Sequence, residues 1–421
     1  MRQLAYWVAL AFVFAVPWEA GVQLSEHGRG SRFLGFFVAL LWLASVVERG
    51  RLRQPHAFHR ALFLFLVWCG LTFFWSVDTR ATVGGFLTLA QLFVLTVIFW
   101  DLFDTRPRIE NALQAYVLGA YVTCGSIIWN YVTAPELKFP NHERVNALGF
   151  ETDGIALIVA TAAPAAWYLA AGPSSRGRSG FLRRLDYAYL PVALWALLLT
   201  GTRGATLASI PTALFILWSL RTLGRRTRIV VAAAAITAIV TVISFTPEGQ
   251  LQRLQTTVTA TELGQEGGAL SGRWSIWTAS VHVFFERPVG GVGLDAHRTA
   301  VASQLGQDRT FRTAEKEAHN AYLSILAETG IVGFVLFLYV LLLVIGQLQL
   351  LHRWEAWYWS AQLGVLAIGA MSLSIEDRKS IWMLLALAIS YAAAPQAAAA
   401  VRRSRLTGAP QLASVRLQPY R

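Results

Sequence analysis

The sequence predicts an all-α polytopic membrane protein with about 12 transmembrane helices. Two observations carry this. Of 421 residues, 55% are hydrophobic and 14% charged, and the mean hydropathy is +0.47, a combination foreign to soluble domains. Apolar runs of about 17–22 residues also recur along the chain, close to the ~20 that a helix needs to cross hydrocarbon. The 16 Trp and 12 Tyr suit two interfacial belts.

Taken in order, the apolar periodicity places helices near 4–18, 33–47, 58–75, 83–100, 109–131, 153–171, 187–200, 204–220, 228–245, 331–350, 356–374 and 380–397. The first apolar stretch ends at Pro17-Trp18-Glu19 with no small-residue cleavage site before it, so it reads as a retained helix. Arginines test the alternation. With both termini in the cytoplasm, the inner segments hold the clusters Arg49, Arg51, Arg53 and Arg60; Arg176, Arg178, Arg183 and Arg184; and Arg221, Arg225, Arg226 and Arg228. The tail adds Arg402, Arg403 and Arg405, whereas the short outer segments are far poorer in Arg and Lys. That bias orients the bundle. It also accounts for the net charge of +12, which answers to anionic membrane lipids rather than to nucleic acid.

Four regions follow: a transmembrane bundle of about nine helices over 1–245, a long outer loop with short interfacial helices over 246–330, C-terminal transmembrane helices over 331–400 and a basic tail over 401–421. Within the loop, 250–263 and 273–285 have helix-like spacing, and 319–329 reads as a short interfacial helix. The two cysteines, Cys69 and Cys124, fall inside apolar spans and indicate neither a disulfide framework nor a zinc site. The eight histidines show no ligand spacing, and Asp101 with Asp104 lies on the cytoplasmic side, so no metal or other cofactor is expected.

Four outward features could carry chemistry. Thr200-Gly201-Thr202-Arg203-Gly204-Ala205 places Arg203 in a tight turn that opens a helix. A guanidinium beside helix-opening N–H groups can seat a phosphate; the alternative is a snorkelling surface arginine. Ser271-Gly272-Arg273-Trp274 reads as a chain break with Arg273 at the start of a helix, where on the residues alone an ordinary surface arginine is the better fit. Glu286-Arg287-Pro288-Val289-Gly290-Gly291-Val292-Gly293 lacks the Lys-Ser/Thr and strand context of a phosphate-binding loop, so it reads as a turn that returns the loop to the bilayer. The fourth is Glu317-Ala318-His319-Asn320-Ala321-Tyr322-Leu323, with Glu328-Thr329-Gly330 and Gly333 beyond it. A neutral imidazole can take a proton from a hydroxyl, and an amide can orient a ligand; a lone interfacial histidine is more often a headgroup contact. Glu328 lies nine residues from His319, about 13 Å along an ideal helix and on its far side, so a structural role at the turn is expected for it. Outward cations with one histidine at membrane level suit a transferase acting on a lipid diphosphate-linked saccharide.

These elements, in this order, resemble the O-antigen ligase and O-antigen polymerase superfamily of bacterial inner-membrane proteins. The resemblance rests on Thr-x-Thr-Arg-Gly at 200–204, Ser-Gly-Arg-Trp-x-x-Trp at 271–277, Arg-Pro-x-x-Gly-x-Gly at 287–293, and His-Asn-x-Tyr-Leu-x-x-x-x-Glu-x-Gly-x-x-Gly at 319–333. It implies a glycosyltransferase-C-like helical architecture and a metal-independent transfer from undecaprenyl diphosphate to an acceptor hydroxyl on the periplasmic face. By that analogy Arg203 and Arg273 bind the donor diphosphate and His319 positions or deprotonates the acceptor. Asn320, Tyr322 and Arg144 become substrate-contact candidates, with Glu19 a further one. Arg287 stands where many relatives have histidine and receives no role. The acceptor stays open among lipid A-core for a ligase, another lipid-linked repeat for a polymerase and a protein hydroxyl, with ligase favoured. A transporter or flippase also fits the number of spans, but carriers place ionisable groups near the bilayer midplane, and most predicted spans have uncharged centres.

Overall fold

The computed structural model describes residues 1–21, 23–25, 28–133, 145, 152–246, 269–305, 319–373 and 377–407. The described chain is helical apart from a two-stranded antiparallel ladder, Gln23–Ser25 with Gly28–Arg29. The helices are α1 Arg2–Ala15, α2 Gly30–Arg49, α3 Ala57–Leu71, α4 Thr79–Leu102, α5 Arg106–Thr133, α6 Thr152–Ala171, α7 Gly180–Thr200, α8 Arg203–Ala208, α9 Ile210–Leu220 and α10 Arg225–Ser244. They continue as α11 Ala269–Glu286, α12 His297–Leu305, α13 Ala321–Leu348, α14 Arg353–Ala370 and α15 Lys379–Thr407.

Every predicted span overlaps a helix, with 204–220 divided into α8 and α9 before Pro211. Among the described residues, six helices are long and apolar enough to cross a membrane: 57–75, 79–102, 106–133, 152–171, 203–220 and 321–348. The chain is therefore a polytopic helical membrane protein. Three of the remaining predicted spans fall short for local reasons. α1 has only 14 residues, α7 carries Arg183, Arg184 and Asp186 in its first two turns, and α10 opens on three arginines. Two expectations change in the loop. Ser271-Gly272 does not break the chain but lies inside α11, and the expected helix at 250–263 lies outside the described residues.

α6 organises the packing. Residues 153–170 are all buried, as expected for a helix that is apolar on every side. It packs against α5, α7, α8 and α14. The two ends of the bundle differ sharply in chemistry. At one end Arg49 meets the buried Asp101 at 2.6 Å, Arg2 meets Asp104 at 2.6 Å, and Arg106 meets Glu355 at 3.1 Å. Asp101 and Asp104 are thus engaged by arginines. The opposite end collects the exits of α3, α7 and α14 and the entries of α4, α6, α8, α13 and α15. Every candidate feature from the sequence that lies among the described residues gathers there.

The glycine-rich turn after α11 fixes that end. Val292 N–H donates to the Ala327 carbonyl at 3.0 Å, Gly293 N–H to Glu328 at 2.9 Å, and Ile331 N–H to Pro288 at 2.8 Å. The indoles of Trp68 and Trp75 donate to the Thr329 and Gly290 carbonyls. Arg287 donates to the Trp75 carbonyl at 2.8 Å, which gives it a structural contact. α13 kinks where Gly330 adopts φ 65 and ψ −171. A Cβ at Gly330 would overlap the Val289 carbonyl, and one at Gly291 would overlap the Glu328 carbonyl. Gly330→Ala is therefore expected to cost at least about 2 kcal/mol, read as a lower melting temperature in detergent. Gly346→Ala, further along α13 where an added Cβ meets nothing within 4 Å, should be neutral or slightly stabilising.

Candidate functional site

The Arg203 turn is built by three neighbours. α7 ends on Gly201 in the left-handed conformation, φ 58 and ψ 25, which glycine adopts without a Cβ penalty. Thr202 caps α8 and donates its hydroxyl to Asp153 Oδ1 at 3.2 Å. Gly204 then lies against Ser372, so that any Cβ there would occupy the position of the serine hydroxyl. Arg203 is left half-buried, on a backbone that cannot shift without disturbing α6 or the exit of α14.

His319 and Asn320 open α13 at the same place. The Asn320 carbonyl oxygen accepts from the N–H groups of Tyr322 at 3.1 Å and Leu323 at 3.2 Å. It is thus the N-cap of α13, an interaction worth about 1 kcal/mol, and only its amide N–H groups face other tasks. Tyr322 donates its hydroxyl to the Ala367 carbonyl at 3.2 Å, tying α13 to α14. His319 sits at φ 47, a left-handed value uncommon outside glycine and a frequent mark of functional sites. Its ring is half-buried, and Nδ1 finds no hydrogen-bond partner among the described residues.

One short segment joins the two features. Leu373 accepts a hydrogen bond from Ala321 N–H at 3.2 Å, while its neighbour Ser372 packs on Gly204. Consecutive residues at the exit of α14 thereby touch both the Arg203 turn and the start of α13. Sequence reasoning expected these features on one face, and the fold brings them onto one ridge.

Other predicted residues are placed less fully. Arg273 lies on α11, one turn before Ile276, which packs with Ala279, Val283, Val292 and Ala327 where α11 meets α13; its side chain is outside the described residues. Arg144 is also outside them, although its neighbour Val145 donates to the Leu199 carbonyl in the last turn of α7. Glu19 forms an ion pair with Lys379 at 2.8 Å.

Sequence reasoning missed Arg378 and Asp295. The Arg378 guanidinium lies over Gly154, where an added Cβ would stand 2.6 Å from Nη1. That puts it beside Asp153 and the Arg203 turn. Arg378, Asp295 and Glu328 also line a cavity of about 150 Å³ between α4, α13 and α15. Asp295 is the other non-glycine residue with positive φ, at 60, among the described residues. The signal in the sequence was faint: a Glu-Asp-Arg-Lys run at 376–379 between two apolar spans, and an aspartate two residues after a glycine turn. Nearby, His297 is buried with Nε2 2.8 Å from the Ser280 hydroxyl. Burial, and after it the adjacent Arg298, lowers its pKa to about 4.

Residues 188–338 match a family described as O-antigen ligase. No curated protein matches the chain. The matched segment runs from α7 into α13 and contains Arg203, Arg273, His319, Asn320 and Tyr322. It supports the O-antigen ligase/polymerase superfamily, and with it an enzyme of that general type of glycan transfer.

Proposed function

We propose that this membrane protein, carrying an O-antigen ligase segment over 188–338, transfers an undecaprenyl diphosphate-linked oligo- or polysaccharide to an acceptor hydroxyl at the periplasmic face. The acceptor that fits the reading best is lipid A-core. The observation that carries the proposal is the shared ridge, on which Arg203 and His319 are joined through Ser372 and Leu373.

The chemistry divides between the two halves. The acceptor hydroxyl oxygen attacks the anomeric carbon from the side opposite the diphosphate. The bond from that carbon to the phosphate oxygen breaks, and undecaprenyl diphosphate leaves with the electron pair, inverting the centre. His319 takes the proton of the attacking hydroxyl. Arg203, with Arg273 and Arg144 as further cations, holds the diphosphate and stabilises the charge that grows as it departs. Each such charge-assisted contact contributes roughly 1.5–3 kcal/mol, and it accelerates transfer to the extent that it strengthens in the transition state.

Deleting the gene and resolving the cell's lipopolysaccharide on a gel tests the acceptor. Loss of long bands with retained free polymer is the expected result. Accumulation of single-repeat species would assign the protein to polymerisation instead, and an unchanged pattern would contradict both.

A further inference from the structure

The cavity that begins about one turn along α13 from Asn320, at Ser324, differs in character from the Arg203 turn. We infer that it is a binding site for a sugar ring of the acceptor, in which Asp295 and Glu328 accept hydrogen bonds from ring hydroxyls. The inference rests on the glycan-transfer reading above and adds a second substrate site to it.

Size comes first. At about 150 Å³ the cavity far exceeds the ~10–15 Å³ that one water requires, so it admits a ligand group. Charge comes next. Its lining residues include three acids, Asp295, Glu328 and Asp377, and two arginines, Arg298 and Arg378. The acidic excess disfavours a diphosphate, and the mixture of acceptors and donors suits a neutral polyhydroxyl that needs both. The ring of Trp382 adds an apolar wall, as a sugar's C–H face requires.

The fold also fixes Asp295 in place by several independent means. Leu294 N–H donates to Thr72 Oγ1 at 3.1 Å, and the Leu294 carbonyl accepts from Thr82 Oγ1 at 2.8 Å. Both sides of the residue before Asp295 are thus tied down, and Asp295 itself is held in the left-handed region. α4 gives way to it at Gly85, where a Cβ would stand 2.7 Å from the Asp295 Cβ. Glycine inside a helix costs about 1 kcal/mol, and here its absent side chain lets Asp295 approach.

The link to the acceptor half is α13. Ser324 and Glu328, both in the cavity wall and otherwise buried, follow Asn320 at intervals of four residues and so share its face. Steps of about 6 Å lead from the His319 end into the cavity. An acceptor chain lying along this face would place one ring at Asp295 and Glu328 and its reacting hydroxyl near His319.

The test uses the full-length protein in nanodiscs and the core oligosaccharide of the strain's own lipid A as the probe. Direct binding is measured for the wild type and for Asp295→Asn, Glu328→Gln and Gly85→Ala, with folding followed by thermal melting. Each substitution should weaken binding about tenfold or more. Gly85→Ala should do so while altering no polar group, and Arg203→Ala should bind the probe as the wild type does. Wild-type protein that does not bind the core, or folded variants that bind it unchanged, would overturn the site. Transfer from lipid-linked donor is measured in parallel. A wild type that binds as described but transfers nothing would refute the reading of function and leave the sugar site standing.

Discussion

Replacing Arg203 with alanine is expected to lower glycan transfer at least about 10²-fold, the scale seen when one preorganised donor to a developing anion is removed. The protein should remain folded and in the membrane. The turn itself does not depend on the guanidinium, because Gly201, the Thr202–Asp153 hydrogen bond and the contact of Gly204 with Ser372 define its path. Arg203→Lys should recover only part of the loss, since an ammonium keeps the charge but not the planar fork that grips two phosphate oxygens. Initial rates with lipid-linked donor, alongside melting curves, check both expectations. Full activity in the alanine variant would remove Arg203 from the mechanism.

Replacing His319 is expected to have a comparable effect by a different route. Loss of a positioned general base costs about 10²–10⁴-fold. Alanine is an imperfect probe, because the backbone at 319 is left-handed and alanine tolerates that poorly. Asparagine tolerates it better, so His319→Asn separates chemistry from strain. The asparagine variant should melt like the wild type and still transfer almost nothing. If it retains substantial transfer, the proton goes elsewhere and His319 serves the fold.

Much of this architecture was legible in the sequence, for identifiable reasons. Apolar runs place helices because a buried or lipid-facing stripe must repeat every turn. Glycines at 291 and 330 read as turns because the backbone there approaches another segment closely. The misreading at Ser271-Gly272 has an equally local cause. Serine and glycine each weaken a helix by only about 1 kcal/mol or less. Packing of Ile276, Ala279 and Val283 against Val292, Ala296 and Ala300 favours continuing it.

The candidate site was only half legible. Arg203 stands out because it interrupts apolar sequence with a charge beside a turn, and His319 because it stands where a long polar segment meets an apolar one. Asn320 is a ligand-contact candidate in the sequence, and its side-chain oxygen also caps α13, a use that Ser/Thr/Asp/Asn before an apolar helix commonly has. Glu328 was read as structural. Its backbone carbonyl does hold Gly293, while its side chain reaches the cavity. Arg378 and Asp295 could not be found from pattern alone. Their meaning comes from Gly154 and Gly85, each more than 200 residues away in the chain, and no local signal encodes such a meeting.

The division of the site into a donor half and an acceptor half is tested most directly by donor binding. The affinity of an undecaprenyl diphosphate-linked glycan is measured for the wild type, Arg203→Ala and His319→Asn in nanodiscs, without acceptor. Binding should fall about tenfold or more in Arg203→Ala and remain at the wild-type level in His319→Asn. Equal loss in both variants, or none in Arg203→Ala, would contradict the assignment.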